Sequence, residues 1–182
     1  MSVTTEFFTP PSTFSSSPQP TRAHGTAITY ADGSQCLDGI SGLWNVPLGY
    51  GHRGVADAVH AALLEASYFT HFRGSHTWAE RTGHRLLAAA GADHYRRVVH
   101  ATSGSAALDS VIKMVRQYQV VCGEPTRTII VSLKGSYHGT TLGAMSLTGE
   151  NLGQRIYGVD GRSVRHIDHR RPQDLARLLE RE

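Results

Sequence analysis

An α/β fold with a parallel or mixed sheet is predicted by three observations in the middle of the chain. Arg97–Thr102 (RVVHAT) is a short run rich in β-branched residues. Ser103-Gly104-Ser105 then opens a helical pattern carrying Leu108, Val111, Ile112 and Val115, and Thr126–Leu133 (TRTIIVSL) supplies a second strand. Strand, helix and strand at this spacing form a βαβ unit, which pairs its strands in parallel and lays the helix on one face of the sheet.

The other elements follow in order. Residues 1–24 are rich in Ser, Thr and Pro without periodicity and read as an extended or mobile N-terminal arm. Ala27–Tyr30 and Gln35–Asp38, separated by Ala31-Asp32-Gly33-Ser34, read as a short hairpin. Val55–Ala66 places Val55, Val59, Leu63 and Ala66 at helical spacing, and Trp78–Ala90 repeats the pattern and ends at Gly91, a helix stop. Beyond the βαβ unit, helices are expected over Thr140–Leu147 and Pro172–Glu180, with a strand at Ser163–Ile167 between them. The expected sheet then stops after a helix, where a parallel-sheet protein would place another strand. That leaves an open edge and an expectation of poor solubility for the chain alone.

Composition narrows the function classes. The 182 residues are 40% hydrophobic and 18% charged, a globular balance, and no stretch approaches the roughly 20 apolar residues of a membrane span. The first twenty residues lack the basic and apolar regions of a secretory signal. Net charge is +3, and of 18 basic residues only Lys113 and Lys134 are lysines. The densest basic segment, Arg162 to Arg171, is interrupted by Asp168 and lacks the aromatic partners of a nucleic-acid surface, so no nucleic-acid partner is expected. Cys36 and Cys122 lie far apart with no CxxC spacing, which implies neither a disulfide framework nor a zinc site and points to the cytoplasm.

Three segments can carry chemistry. Ser103-Gly104-Ser105 sits where a strand gives way to a helix. Free N–H groups and the positive end of the helix dipole favour a phosphate there, although a plain helix cap is an equal reading. Gly135-Ser136-Tyr137-His138-Gly139 follows the second strand at its carboxyl end, where ligands of open α/β sheets collect. Tyr137 offers an aromatic face and His138 a proton carrier, against the alternative of an ordinary loop. Gly49 to Gly54 matches GxGxxG, but Pro47 precedes it and no acidic residue stands about 20 positions on, so a turn into the following helix is expected rather than a dinucleotide site. His166-Ile167-Asp168-His169 has no third ligand, and no metal is expected.

Taken together, Asp38-Gly39-Ile40-Ser41-Gly42-Leu43-Trp44, Gly49-Tyr50-Gly51-His52, Ser103-Gly104-Ser105-Ala106-Ala107, Ile112-Lys113 and Tyr137-His138-Gly139-Thr140-Thr141 resemble the class III pyridoxal-phosphate aminotransferases, from about Ala27 onward. The resemblance implies the N-terminal part of a fold type I transferase. Residues 25–70 would be the small-domain N-terminal segment and pocket-lining loop, and residues 71–182 the N-terminal half of the large, cofactor-binding domain. It also implies pyridoxal 5'-phosphate as cofactor, held by Ser103, Gly104 and Ser105 at its phosphate, with Tyr137 stacked on its ring, His138 beside it and Trp44 lining the substrate pocket. The lysine that forms the Schiff base and the acid that pairs with the pyridine nitrogen match no residue of this chain, so no catalytic residue is assigned. The expected function is therefore the N-terminal half of a split aminotransferase. It would be completed by a complementary C-terminal-half chain in a dimer of such pairs, and would move an amino group between a small-molecule amine and a carbonyl acceptor. The alternatives are an inactive regulatory subunit docking to a full-length aminotransferase, or half of a related aminomutase or decarboxylase.

Overall fold

The structure is a computed structural model that describes residues 18–181. The chain divides into two compact units at His76 and Thr77.

The first unit is built on an antiparallel meander of β1 (Pro20–His24), β2 (Ala27–Tyr30) and β3 (Gln35–Leu37). The hairpin β2–β3 follows from its turn chemistry. Asp32 accepts from the Ser34 N–H and hydroxyl, and Gly33 takes the positive φ (83°) that the turn requires. β1 falls inside the segment expected to be an extended or mobile arm. His24 pairs with Ala27 and Ala23 with Ile28, so the end of that segment is a strand despite lacking periodicity. β1 is exposed along its whole length and asks for no alternation, which is why none was legible. Residues 1–17 of the expected arm lie outside the described residues.

The glycine-rich segment after β3 proves to be a backbone splice. Gly25 N–H donates to Tyr50 O at 3.0 Å and Tyr50 N–H to Gly25 O at 2.8 Å. A Cβ on Gly49 would stand 2.9 Å from Gly25 O, so the approach needs glycine. His52 then caps α1 (Arg53–Glu65), its Nδ1 accepting from Val55 N–H. The segment is a turn into a helix, as its flanks predicted.

The second unit begins with α2 (Thr77–Ala90), which stops at Gly91 with φ 107°. Residues 97–102, expected to be a strand, run without secondary structure and join no ladder among the described residues. Their β-branched composition is that of a strand, but a strand exists only with a hydrogen-bonded neighbour, and none lies beside them. There follow α3 (Gly104–Val121), β4 (Ile130–Leu133), α4 (Leu142–Leu147), β5 (Val164–Ile167) and α5 (Gln173–Leu179). β4 and β5 pair in parallel, Ile130 opposite Val164 and Leu133 opposite Ile167. The core of this unit is small. Ile112 of α3, Leu147 of α4 and Val164 of β5 pack together with Ile130, while Ala144 and Met145 are almost completely buried. The short α4 is held at its start by Asp109, whose Oδ1 accepts from Ala144 N–H at 2.7 Å. At its end Leu147 O accepts from Ser132 Oγ of β4 at 2.6 Å and lies 3.0 Å from His166 Nε2 of β5. Three elements thus meet on one carbonyl. Among the described residues no helix is long and apolar enough to cross a membrane.

Candidate cofactor-binding site

The site is assembled from two loops of the second unit, 30 residues apart in sequence. At the first, extended Ser103 (φ −162°, ψ 166°) caps α3, its Oγ accepting from Ala106 N–H at 3.1 Å while Ala107 N–H closes onto Ser103 O. The cap reading of Ser103 therefore holds, and its hydroxyl oxygen is committed to the helix. Gly104 and Ser105 occupy the first two helical positions, where backbone N–H groups have no intrahelical acceptor. A Cβ built on Gly104 would meet nothing within 4 Å, so its backbone faces open space. Such a terminus, with its dipole and bare N–H groups, favours an anion.

The second loop, Lys134 to Gly139, leaves the carboxyl end of β4. It is clasped by backbone bonds on both sides of Gly149: Gly135 N–H donates to Gly149 O at 3.2 Å, and Gly149 N–H donates to Ser136 O at 2.8 Å. Thr148 pins its far end, its Oγ1 accepting from His138 N–H at 3.0 Å and donating to Gly139 O at 3.2 Å. His138 Nε2 lies 3.0 Å from Ser136 Oγ, which itself donates to Leu133 O. The Tyr137 side chain, at the crest, is 60% exposed.

The two loops touch. Thr140 N–H donates to Ser105 Oγ at 3.2 Å and Thr141 Oγ1 to Ser105 O at 3.4 Å. Gly139 is buried against Ser105, with φ 122° and no room for a side chain. Because Ser105 Oγ accepts from Thr140, its own proton stays available to a ligand at the helix terminus. Gly104, Ser105, Tyr137 and His138 are thereby brought to one end of the unit, with Ser103 supporting them. Lys113 is exposed within α3 and Lys134 is exposed at the end of β4.

Trp44 stands in the first unit, on a turn that sequence reading did not foresee. Ser41, Gly42, Leu43 and Trp44 have φ of 50°, 58°, 53° and 65°, four consecutive residues of left-handed helix. For the three with a Cβ this conformation costs roughly 1–2 kcal/mol each. The turn is closed by Trp44 N–H to Ile40 O at 2.9 Å, and the indole is 81% exposed. The His166 to His169 segment offers no metal centre. His166 is engaged with Leu147, and the Asp168 carboxyl is held down to about 2 by hydrogen bonds from the Arg170 side chain and backbone. Sequence reading missed the supporting residues Asp109, Thr148 and Gly149, whose only local signal was a Thr-Gly pair after an apolar helix.

The N-terminus of α3 thus touches the Tyr137 loop at the end of a parallel strand. The family model for class III aminotransferases matches residues 13–167. The chain belongs to the class III aminotransferases. An uncharacterized aminotransferase of Bacillus subtilis, YhxA, is 35% identical over 86% of this chain and 33% of its own length. The diaminobutyrate–2-oxoglutarate transaminase of Halomonas elongata is 31% identical over 81% of this chain and 32% of its own. Among solved structures, the PLP-bound amine transaminase of an uncultivated Pseudomonas species superposes with a TM-score of 0.82 at 31% identity, covering 91% of this chain and 39% of that one. The PMP-bound aminotransferase of Vibrio fluvialis gives a TM-score of 0.80 at 26% identity, covering 91% and 37%. The chain thus spans about a third of the length of the class III aminotransferases it matches. The fold is the N-terminal part of a fold type I pyridoxal-phosphate-dependent transferase, as expected.

Proposed function

We propose that this chain supplies the phosphate cradle and the ring-stacking loop of a pyridoxal-phosphate-dependent aminotransferase, and that a second chain supplies the cofactor lysine, the acid for the pyridine nitrogen and the rest of the sheet. The observation that carries the reading is the junction of Ser105 with Gly139 and Thr140, which joins the N-terminus of α3 to the loop carrying the exposed Tyr137. Pyridoxal phosphate, when bound, supplies a carbonyl that accepts the amine nitrogen and a ring that withdraws electrons from the substrate carbon. The residues present fit that group. The open backbone at Gly104 would admit phosphate oxygens, the N–H groups of Gly104 and Ser105 and the Ser105 hydroxyl would donate to them, and Tyr137 would offer its face to the ring. His138 steadies the loop through Ser136 and Thr148. Trp44 is assigned to the substrate pocket, its flat indole a surface for an apolar substrate group. The substrates are a small amine donor and a carbonyl acceptor. Both cysteines are free thiols, in keeping with a cytoplasmic setting.

Cofactor absorbance and transamination of the chain, alone and co-expressed with a lysine-bearing class III C-terminal half, test the proposal. The lone chain should be inactive, and the pair should retain the cofactor through dialysis and turn over. Turnover by the lone chain overturns the divided site. A stable pair that neither retains cofactor nor turns over overturns the enzymatic reading in favour of a regulatory subunit.

Within such a pair Tyr137→Ala removes a stacking face worth about 0.5–1.5 kcal/mol beyond its area, so cofactor affinity should fall roughly 2- to 10-fold. No hydrogen bond to the Tyr137 hydroxyl is present among the described residues, so Tyr137→Phe should lie close to the parent. Equal losses in both variants, read by equilibrium dialysis against the cofactor, would transfer the role from the ring to the hydroxyl.

A further inference from the structure

The left-handed turn at Ser41–Trp44 is held by a single carboxylate. Asp38 Oδ1 accepts from Ile40 N–H at 3.0 Å, and Oδ2 accepts from Gly42 N–H at 2.6 Å and from the Tyr50 hydroxyl at 2.8 Å. Asp38 is itself fixed to the sheet, its N–H donating to Thr26 O at 2.8 Å, and Tyr50 is fixed by its two backbone bonds to Gly25. The carboxylate therefore ties the turn to the β1–β2 connection, through Thr26 on one side and Gly25 on the other. Asn45 completes the hold, its Nδ2 donating to Gly42 O and Leu43 O. Gly42 leaves no room for a Cβ, which would stand 2.9 Å from the Tyr50 hydroxyl.

What the turn gains from this hold is unusual. Leu43 and Trp44 are both largely exposed, so apolar burial does not offset the cost of their left-handed backbone. Within the first unit the hydrogen bonds hold a turn whose indole packs on little else there. We infer that Asp38 is a positioning residue for substrate recognition: with Tyr50 it holds the left-handed turn that presents Trp44 to the amine's side group. The inference rests on the pocket role proposed above for Trp44. In support, the hydrogen bonds from the Tyr50 hydroxyl and Ile40 N–H hold the Asp38 carboxyl below the usual carboxylate range, so at neutral pH it is a full acceptor for all three donors.

The test uses the reconstituted pair with only this chain isotope-labelled, well below the melting temperature of the pair. A positive φ brings a residue's own amide and α protons together and gives a strong cross-peak between them. Asp38→Ala should lose that intensity at Leu43 and Trp44 and narrow the Trp44 indole resonance, while cross-strand contacts of β1, β2 and β3 persist. Tyr50→Phe should show the same change in part. A role in stability alone would lower the melting temperature and leave those peaks unchanged, and that result overturns the inference. Should Asp38→Ala lose the meander as well, Asp38→Asn decides by the same peaks, because it keeps one acceptor oxygen and cannot serve three donors. In the reconstituted pair, Trp44→Ala should raise KM for 1-phenylethylamine several-fold more than for alanine, Asp38→Ala should do the same, and the double variant should add nothing. Additive effects overturn the positioning role. An unchanged KM in Trp44→Ala overturns the pocket role of Trp44 alone, a failure distinguishable from loss of the turn.

Discussion

Gly139→Ala is expected to separate the phosphate cradle from the aromatic loop. At φ 122° the residue adopts a conformation that side chains disfavour, and an added Cβ would run into the Ser105 side chain and stand 3.1 Å from Ser105 Cα. Ser105 cannot yield freely, since its hydroxyl accepts from Thr140 N–H and its carbonyl from Thr141 Oγ1. Overpacking of this kind costs about 1–3 kcal/mol, and the backbone strain adds to it. In a unit of this size, that lowers the melting temperature by roughly 10 °C or more. Cofactor retention should fall further than stability, because the clash lies on Ser105, the residue proposed to donate to the cofactor phosphate. Thermal melts and cofactor absorbance of the reconstituted pair check both effects. Ser105→Gly in the same chain should recover much of the stability and none of the cofactor retention. A Gly139→Ala protein that melts like the parent would show that the two loops are not in contact.

The second large effect is expected at Gly149. An added Cβ there would meet Leu133 O and stand 2.9 Å from Gly135 N and Lys134 Cα, all of them backbone atoms that no rotamer change can remove. Gly149→Ala must therefore open the paired bonds between Gly149 and the residues Gly135 and Ser136. The expected cost is about 3 kcal/mol or more, at the upper end for a single methyl group. Hydrogen exchange gives the sharper measurement. The Gly135 and Gly149 amides should lose protection together, with Ile130 and Lys134 in the β4–β5 ladder affected less. Retained protection at both amides would contradict the clasp.

The helices and both strands of the parallel pair were legible in the sequence because they carry local signals. Leu108, Val111, Ile112 and Val115 mark one face of α3, Gly91 marks the end of α2, and Pro172 the start of α5. The start of α3 was legible for the same reason, since Ser103-Gly104-Ser105 carries the serine cap that opens it, although no strand leads into it. Residues 97–102 were misread because β-branched composition reports strand propensity, whereas a strand requires a partner supplied from elsewhere. β1 was missed for the opposite reason, as its pairing with β2 comes from the backbone and needs no apolar alternation. The turn at Ser41–Trp44 left almost no trace, because only one of its four residues is glycine and the carboxylate that holds it lies three residues before it. Contacts such as Thr148 to His138 and Asp109 to Ala144 join residues 10 and 35 positions apart, and pattern within a window cannot reveal them.

The aromatic loop is held almost entirely by atoms that its own exposed side chain does not contribute. Its bonds run through the backbone of Gly135, Ser136, His138 and Gly139 to Gly149 and the Thr148 hydroxyl, while the Tyr137 ring takes no part. Shape and chemistry are therefore inherited separately at this position. A lineage carrying this loop can exchange the residue at the crest, and with it the face offered to a bound ring, without rebuilding the scaffold beneath. Variation at Gly139, Thr148 or Gly149 has no such freedom, because each change there alters the scaffold before it can alter the chemistry.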